Sequence, residues 1–210
     1  MEIVMKSIGR FLIIPLLGIS VSLHGQAGYK AVQEAFETSY ALETKADYAN
    51  AIAALKSVYD ESSYEINIRL GWLTYLSGLF TESSAYYQKC IKLKPLAIEA
   101  KLGYVLPVSA IGNWDQVMAQ YEEILKIDPQ NSLVNYRVGM IYYGRSEYAL
   151  AEKYFEKVVN LFPFDYDSNI IYAWTEYKLG KLREAQVLFN KVLMMRPRDD
   201  SATIGLSLIK

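Results

Sequence analysis

The stretch AEKYFEKVVNLFP, residues 151–163, places apolar side chains three and four residues apart and then stops at a proline. That spacing is typical of a helix with one buried face, and a proline cannot continue such a helix. This proline is not isolated, because prolines recur every 34 residues, at positions 95, 129, 163 and 197. An even spacing of this kind predicts a repeated structural unit.

Other residue types recur at the same interval. When blocks beginning at residues 64, 98, 132 and 166 are aligned, an aromatic residue fills one column, formed by Tyr87, Tyr121, Phe155 and Phe189. Small residues recur where two helices must approach closely, at Gly71, Gly139, Ala151, Ala173 and Ala185. Each block thus contains two helical segments and a turn. A helix of about 14 residues is marginal alone in water, so the units must stack to bury their apolar faces.

The period and the columns resemble the tetratricopeptide repeat, a helix-turn-helix unit of about 34 residues. The resemblance is strongest in blocks 132–165 and 166–199. It implies an all-α fold, a right-handed superhelical solenoid of antiparallel helix pairs. It divides the chain into a degenerate unit at 30–63, units at 64–97, 98–131, 132–165 and 166–199, and the start of a C-terminal capping helix at 200–210.

Block 98–131 departs from the pattern, because valine replaces the small residue in two columns. We therefore expect looser helix packing in this unit. Pro107 lies inside its first helix, where it removes one backbone hydrogen bond and predicts a kink. Asn113, followed three residues later by Gln116, is typical of a capping box at the start of the second helix.

The N-terminus has the features of a secretory signal peptide. Lys6 and Arg10 precede an apolar run at residues 11–23, which is shorter than the about 20 residues that a membrane span needs. Small residues follow, so we expect export and removal of residues 1–27, with Gly25 as an alternative cleavage site. The protein would then be periplasmic or secreted, without a membrane span. The alternatives are an uncleaved N-terminal segment that anchors the chain in a membrane, and a buried helix.

The charge balance and the residue inventory argue against several classes of function. The chain has 22 basic and 23 acidic residues and no dense basic block, so nucleic acid is not an expected partner. The single histidine, His24, lies in the segment expected to be removed, which leaves none for acid-base catalysis or metal binding. Cys90 lies in a core-facing column, and we expect an inert buried thiol. The sequence predicts no enzyme, no catalytic residue, no metal and no cofactor.

The resemblance also implies a concave groove lined by the first helix of each unit. Residues at the groove-facing positions are mostly aromatic or apolar, and the candidates for partner binding are Trp72, Tyr75, Tyr136, Met140, Tyr143, Trp174 and Tyr177. Tyrosine and tryptophan are typical anchors at protein interfaces. The alternative is that these side chains belong to the core, because apolar residues at helical spacing usually pack inside.

Two arginines at the sixth position of their units, Arg69 and Arg137, could pair with a carboxylate of a ligand. The alternative for both is an ordinary exposed surface arginine. Some tetratricopeptide-repeat proteins hold a partner's C-terminus with a clamp of lysine, asparagine and arginine. This sequence departs from that clamp at Ile68, Trp72, Leu102 and Leu106.

These features favour a non-enzymatic scaffold that binds a protein or peptide segment in an aromatic groove. A second hypothesis is a structural subunit of an envelope complex that associates with itself as a homo-oligomer. A third hypothesis is carbohydrate binding, because aromatic rings also stack on the faces of sugars. The solvent exposure of Trp72 and Trp174 bears directly on the choice between a groove and a core.

Overall fold

The computed structural model describes the backbone of residues 19–209 and the side chains of residues 28–209. Within that range the chain forms eleven helices and no strand, which confirms the expected all-α class. The helices are α1 (Ile19–Glu43), α2 (Tyr48–Lys56), α3 (Tyr64–Leu76), α4 (Phe80–Leu93), α5 (Ile98–Ala110), α6 (Trp114–Ile127), α7 (Ser132–Gly144), α8 (Tyr148–Leu161), α9 (Tyr166–Lys178), α10 (Leu182–Met195) and α11 (Asp200–Leu208).

The chain divides into two compact parts, of which the first ends at Asp60 and the second begins at Glu61. The first part contains α1 and α2, which pack against each other. Most of the predicted signal peptide, residues 1–18, lies outside the described residues. Among the helices that the structure describes, none is both long and apolar enough to cross a membrane.

In the second part, which begins at Glu61, successive helices pack side by side from α3 to α11. This is the predicted right-handed solenoid of antiparallel helix pairs. Its core is formed by the apolar faces of both helices of each pair, and the aromatic column of the sequence lies inside it. The side chains of that column are all nearly or fully buried, at Tyr87, Tyr121, Phe155 and Phe189.

Three buried asparagines tie the turns between units to the helices that follow. Asn67, Asn135 and Asn169 each donate from Nδ2 to two backbone carbonyls, six and four residues earlier in the chain. The two distances are 2.9 and 2.7 Å for Asn67, 3.1 and 2.9 Å for Asn135, and 3.2 and 2.6 Å for Asn169. Lys101 stands at the equivalent position of α5. The turn before α5 therefore lacks an asparagine to make this pair of hydrogen bonds.

The start of α5 also lacks a second feature that the other first helices have. Ala97 precedes α5 and provides no side-chain cap. The residues before the four equivalent helices each accept a hydrogen bond from the first helical turn, and they are Ser63, Asn131, Asp165 and Asp199. In addition, α5 and α6 contact each other less extensively than the pairs α3/α4, α7/α8 and α9/α10 do. These differences agree with the looser packing expected of block 98–131.

One local expectation for this block needs adjustment. Pro107 lies inside α5, which runs unbroken from Ile98 to Ala110. Asn113 caps α6 as predicted, accepting a hydrogen bond from the backbone N–H of Gln116 at 3.2 Å. The reciprocal half of the capping box is wrong, because the Gln116 side chain accepts from the hydroxyl of Tyr104 at 2.6 Å instead.

Candidate functional site

One column of the repeat sets how closely neighbouring units approach. Gly103 of α5 and Gly205 of α11 lie 102 residues apart (205 − 103), which is three periods, and both contact the aromatic ring of the preceding unit. A Cβ atom added to Gly103 would lie 2.1 Å from the ring of Tyr87, and one added to Gly205 would lie 2.3 Å from the ring of Phe189. Only glycine fits at these distances, so α5 and α11 lie directly against the unit before them.

The same position is filled by larger side chains in the two helices between them. Arg137 of α7 and Ile171 of α9 stand where α5 and α11 have glycine. Accordingly, α3 packs against α5 and α9 packs against α11, whereas α7 makes no comparable contact with α5 or with α9. Open space is left on both sides of α7, and it forms the cavities that follow.

The first cavity, here called the Trp72 cavity, has a volume of about 280 Å³. It lies between α3, α5 and α7, and its walls are mainly apolar. Arg137 and Glu99 contribute its charged groups. Its lining residues are Ile68, Trp72, Tyr87, Glu99, Leu102, Gly103, Leu106, Leu133 and Arg137.

Two further cavities continue from Arg137 along the cleft between α5, α6 and α7. Their volumes are about 240 and 440 Å³, and they share Trp114, Met140 and Ile141. Arg137 lines the smaller of them as well as the Trp72 cavity. Its Nη1 donates to the hydroxyl of Tyr121 at 3.3 Å, which orients the guanidinium between the two spaces.

The last cavity, here called the Tyr136 cavity, lies on the other side of α7, between α7, α8 and α9, and has a volume of about 350 Å³. Its walls are apolar at Leu133, Tyr136, Val158 and Phe162, and Asp165 and Asp167 stand at its edge. The pKa of the Tyr136 hydroxyl is raised, first by burial and then by the negative charges of those two carboxylates.

The structure brings four of the predicted binding residues to these cavities. Trp72 and Arg137 line the first, Arg137 and Met140 line the smaller central one, and Tyr136 lines the last. Trp72 is 36% exposed and Met140 is 40% exposed. Both side chains are therefore partly open to solvent and do not belong to the buried core. Trp72 is supported on one side by Tyr75, whose ring centroid lies 6.0 Å away.

The remaining candidates lie elsewhere. Trp174 and Tyr177 are half-buried among the apolar residues of α9, α10 and α11. The indole N–H of Trp174 donates to Ser201 Oγ at 2.8 Å. Tyr143 packs edge-on against Tyr148, with ring centroids 5.3 Å apart. None of these three predicted residues lines any of the four cavities described above.

The two arginines differ. Arg137 is exposed, whereas only 7% of Arg69 is exposed. The alternative of an ordinary surface arginine is therefore wrong for Arg69, which is buried at the helix position that Gly103 occupies in the next unit.

Two residues on this surface were not among the candidates from sequence. Leu133, 45% exposed, lines both the Trp72 and the Tyr136 cavities. Trp114 is exposed and lines both central cavities. The signal for Leu133 was its helical spacing, three residues before Tyr136 and four before Arg137.

Cys90, the one cysteine of the chain, lines none of the four cavities described above. Cys90 is fully buried, as expected, and burial raises the pKa of its thiol to about 12. In the part of the chain that the structure describes, no three His, Cys, Asp or Glu side chains come together as metal ligands.

Comparison with known proteins gives a family match over part of the chain. The family model of the tetratricopeptide repeat matches residues 64–95 and 133–165. These two segments are tetratricopeptide repeats. The comparison with curated protein sequences gives no match.

Solved structures share the fold. A tetratricopeptide repeat protein from Parabacteroides merdae ATCC 43184 is 20% identical and has a TM-score of 0.71, over 86% of this chain and 72% of that one. A MamA protein is 20% identical with a TM-score of 0.68, over 79% and 92% of the two chains. MamA from Desulfovibrio magneticus RS-1, residues 41 to the end, is 17% identical with a TM-score of 0.66, over 80% and 97%. At these identities the likeness shows the tetratricopeptide-repeat fold alone.

Proposed function

We propose that this protein is a non-enzymatic scaffold that binds a segment of a partner protein along α3, α5 and α7, without a cofactor. The observation that carries the proposal is the Trp72 cavity, where a partly exposed indole and an exposed arginine stand on an apolar floor. Tryptophan and arginine are the side chains that most often dominate binding energy at protein interfaces.

The shape of this surface suits a chain segment better than a small molecule. The four cavities share lining residues one with the next, at Leu133, Arg137, Met140 and Ile141. They therefore form a row of shallow apolar depressions rather than one closed pocket. An extended or helical segment could place successive side chains in them.

The experiment is affinity capture with the purified chain as bait, followed by measurement of the captured protein's affinity for variants. Trp72→Ala and Arg137→Ala are each expected to weaken that affinity by about 10-fold or more. Val187→Ala is the matched control, because Val187 is an exposed apolar residue of α10 and should leave the affinity unchanged. Equal affinities for all four proteins would rule out this surface as the binding site.

We also propose that the protein is exported and loses residues 1–27. The support is the order of charge, apolar run and small residues in that segment. Mass spectrometry of the protein purified from its natural host should give a chain that begins at Gly28 or, with the alternative site, at Gln26. An intact N-terminus in the membrane fraction would support anchoring instead.

Self-association is a second candidate function, and one observation favours it. Ile204 and Leu208 lie one turn apart on α11 and both are exposed. An apolar face at the last described helix of a repeat array can pack against another copy. Sedimentation velocity over a range of concentrations should then show a dimer that Ile204→Glu abolishes, and a monomer at all concentrations would exclude this function.

A further inference from the structure

Leu133 forms a ridge between two cavities. It lines the Tyr136 cavity together with Tyr136 and the Trp72 cavity together with Arg137. Residues three and four positions further along a helix lie on either side of the starting residue, which explains why adjacent side chains of α7 enter different cavities. A segment that crosses α7 at Leu133 therefore meets both spaces.

The Trp72 cavity offers a cation. The Arg137 guanidinium has five N–H donors, and its hydrogen bond to Tyr121 uses one of them. Arg137 forms no ion pair with any residue that the structure describes. Glu99 lines the same cavity, but its carboxylate accepts from the hydroxyl of Tyr64 at 2.7 Å.

The Tyr136 cavity offers anions. Asp165 caps α9 by accepting from the backbone N–H of Ser168 at 2.9 Å, and one of its oxygens remains for a ligand. Asp167 is exposed, and its carboxylate forms neither a hydrogen bond nor an ion pair within residues 28–209. A lysine or arginine side chain matches this cavity, because its aliphatic stem suits the apolar walls and its head group suits the carboxylates.

Resting on the proposed function, we propose that the partner segment carries opposite charges on either side of two apolar residues. A basic side chain enters the Tyr136 cavity, the apolar pair covers Leu133, and an acidic side chain meets Arg137. The two cavities lie on opposite sides of one helix, so the two charged groups are on the order of 10 Å apart. That distance corresponds to about three residues of an extended segment.

The probes are four short peptides with blocked termini. Each has two leucines between two outer residues, which are lysine and glutamate, two lysines, two glutamates or two glutamines. Tryptophan emission of the full-length protein reports binding at low ionic strength, where charge contributions are least screened. The lysine-glutamate peptide is expected to bind about 10-fold more tightly than the other three, and this preference should shrink in 0.5 M salt.

Variants with a reversed charge provide the decisive test. Arg137→Glu makes both cavities acidic, so this variant should bind the two-lysine peptide most tightly. Asp167→Lys should lose the preference for the lysine-glutamate peptide. Arg183→Glu and Asp115→Lys are the matched controls, because both residues are exposed charges that line none of the four cavities, and Asp115 also lies in the first turn of its helix.

Three results would overturn the inference: equal affinities for the four peptides, an unchanged preference in Arg137→Glu, or no binding of any peptide. Failure here is distinguishable from failure of the proposed function. If the captured protein still loses affinity on Trp72→Ala while the peptides show no charge preference, the binding surface stands and the charge order is wrong. If neither Trp72→Ala nor Arg137→Ala changes that affinity, the surface itself is wrong.

Discussion

At the scale of single residues, Gly103 decides how closely two units approach. A methyl group there would meet the buried ring of Tyr87 at 2.1 Å, and a core that is already packed resists the shift. Gly103→Ala is expected to lower the free energy of unfolding by about 1–3 kcal/mol, as measured by urea unfolding. Gly144→Ala is the control, because nothing lies within 4 Å of an added Cβ and its φ is not positive. An equal effect of both changes would contradict the role given to Gly103.

Glu176 is a single residue that should make stability depend on pH. It is 1% exposed. Burial and then repulsion from Glu152 raise its pKa to about 7, against the opposing attraction of Lys181, 3.7 Å away. The folded state then holds the proton more tightly than the unfolded chain, whose glutamate has the ordinary value of 4.5. Stability therefore falls as pH rises from about 4 to about 7 and stays lower above it.

Glu176→Gln removes that dependence. The variant is expected to be more stable than the unmodified protein at pH 8, by about 2 kcal/mol, and to differ little from it at pH 4. Thermal unfolding at the two pH values measures the difference, and Glu122→Gln, at an exposed position of α6, serves as the control. A variant that is less stable at pH 8 would show that the ionised carboxylate is instead well stabilised.

At the scale of secondary-structure elements, the buried asparagines hold each turn to the following helix. Asn135→Ala removes two hydrogen bonds to backbone carbonyls in a buried place, and we expect a loss of about 1–3 kcal/mol. Asn190→Ala removes one exposed bond to the backbone of the same helix and should change stability by less than about 0.5 kcal/mol. Denaturant unfolding compares the two variants. A smaller effect at Asn135 than at Asn190 would contradict the proposed role.

The start of α5 can be stabilised by adding a side chain that caps it. Ala97 has the extended backbone of an N-cap, with φ −73° and ψ 106°, but no side chain that can accept a hydrogen bond. Ala97→Asp is expected to raise the free energy of unfolding by about 1 kcal/mol. Asp199→Ala, at the equivalent position before α11, should lower it by at least as much, because Asp199 also accepts from the hydroxyl of Tyr166 at 2.7 Å. Unchanged stability in Ala97→Asp would mean that the cap does not limit this unit.

The sequence predicted the helices more fully than it predicted the candidate binding site. The proline period and the aromatic column predicted the helix pairs, because each depends on short-range spacing that repeats. The asparagine column carried no such signal, since an asparagine inside a helix is usually an exposed polar residue. The cavities beside α7 depend on the size of the side chain at one repeat position, which is occupied by Gly103, Arg137, Ile171 and Gly205. The effect of these sizes on the distance between helices appears only when the units are stacked.

At the scale of the whole molecule, the tetratricopeptide-repeat fold provides a row of open depressions beside α7. Trp72, Arg137, Met140 and Tyr136 were predicted for partner binding and line this row. That surface is the part of the protein on which the proposed binding function depends.

The most direct test of that function is hydrogen exchange of the protein with and without the captured partner. The backbone amides of α3, α5 and α7, and of the segments next to them, should exchange more slowly in the complex. The exchange rates of the amides of α10 should be unchanged. The Trp72→Ala variant should lose this protection at the same partner concentration. Protection confined to α10 and α11, with α5 and α7 unaffected, would contradict the account.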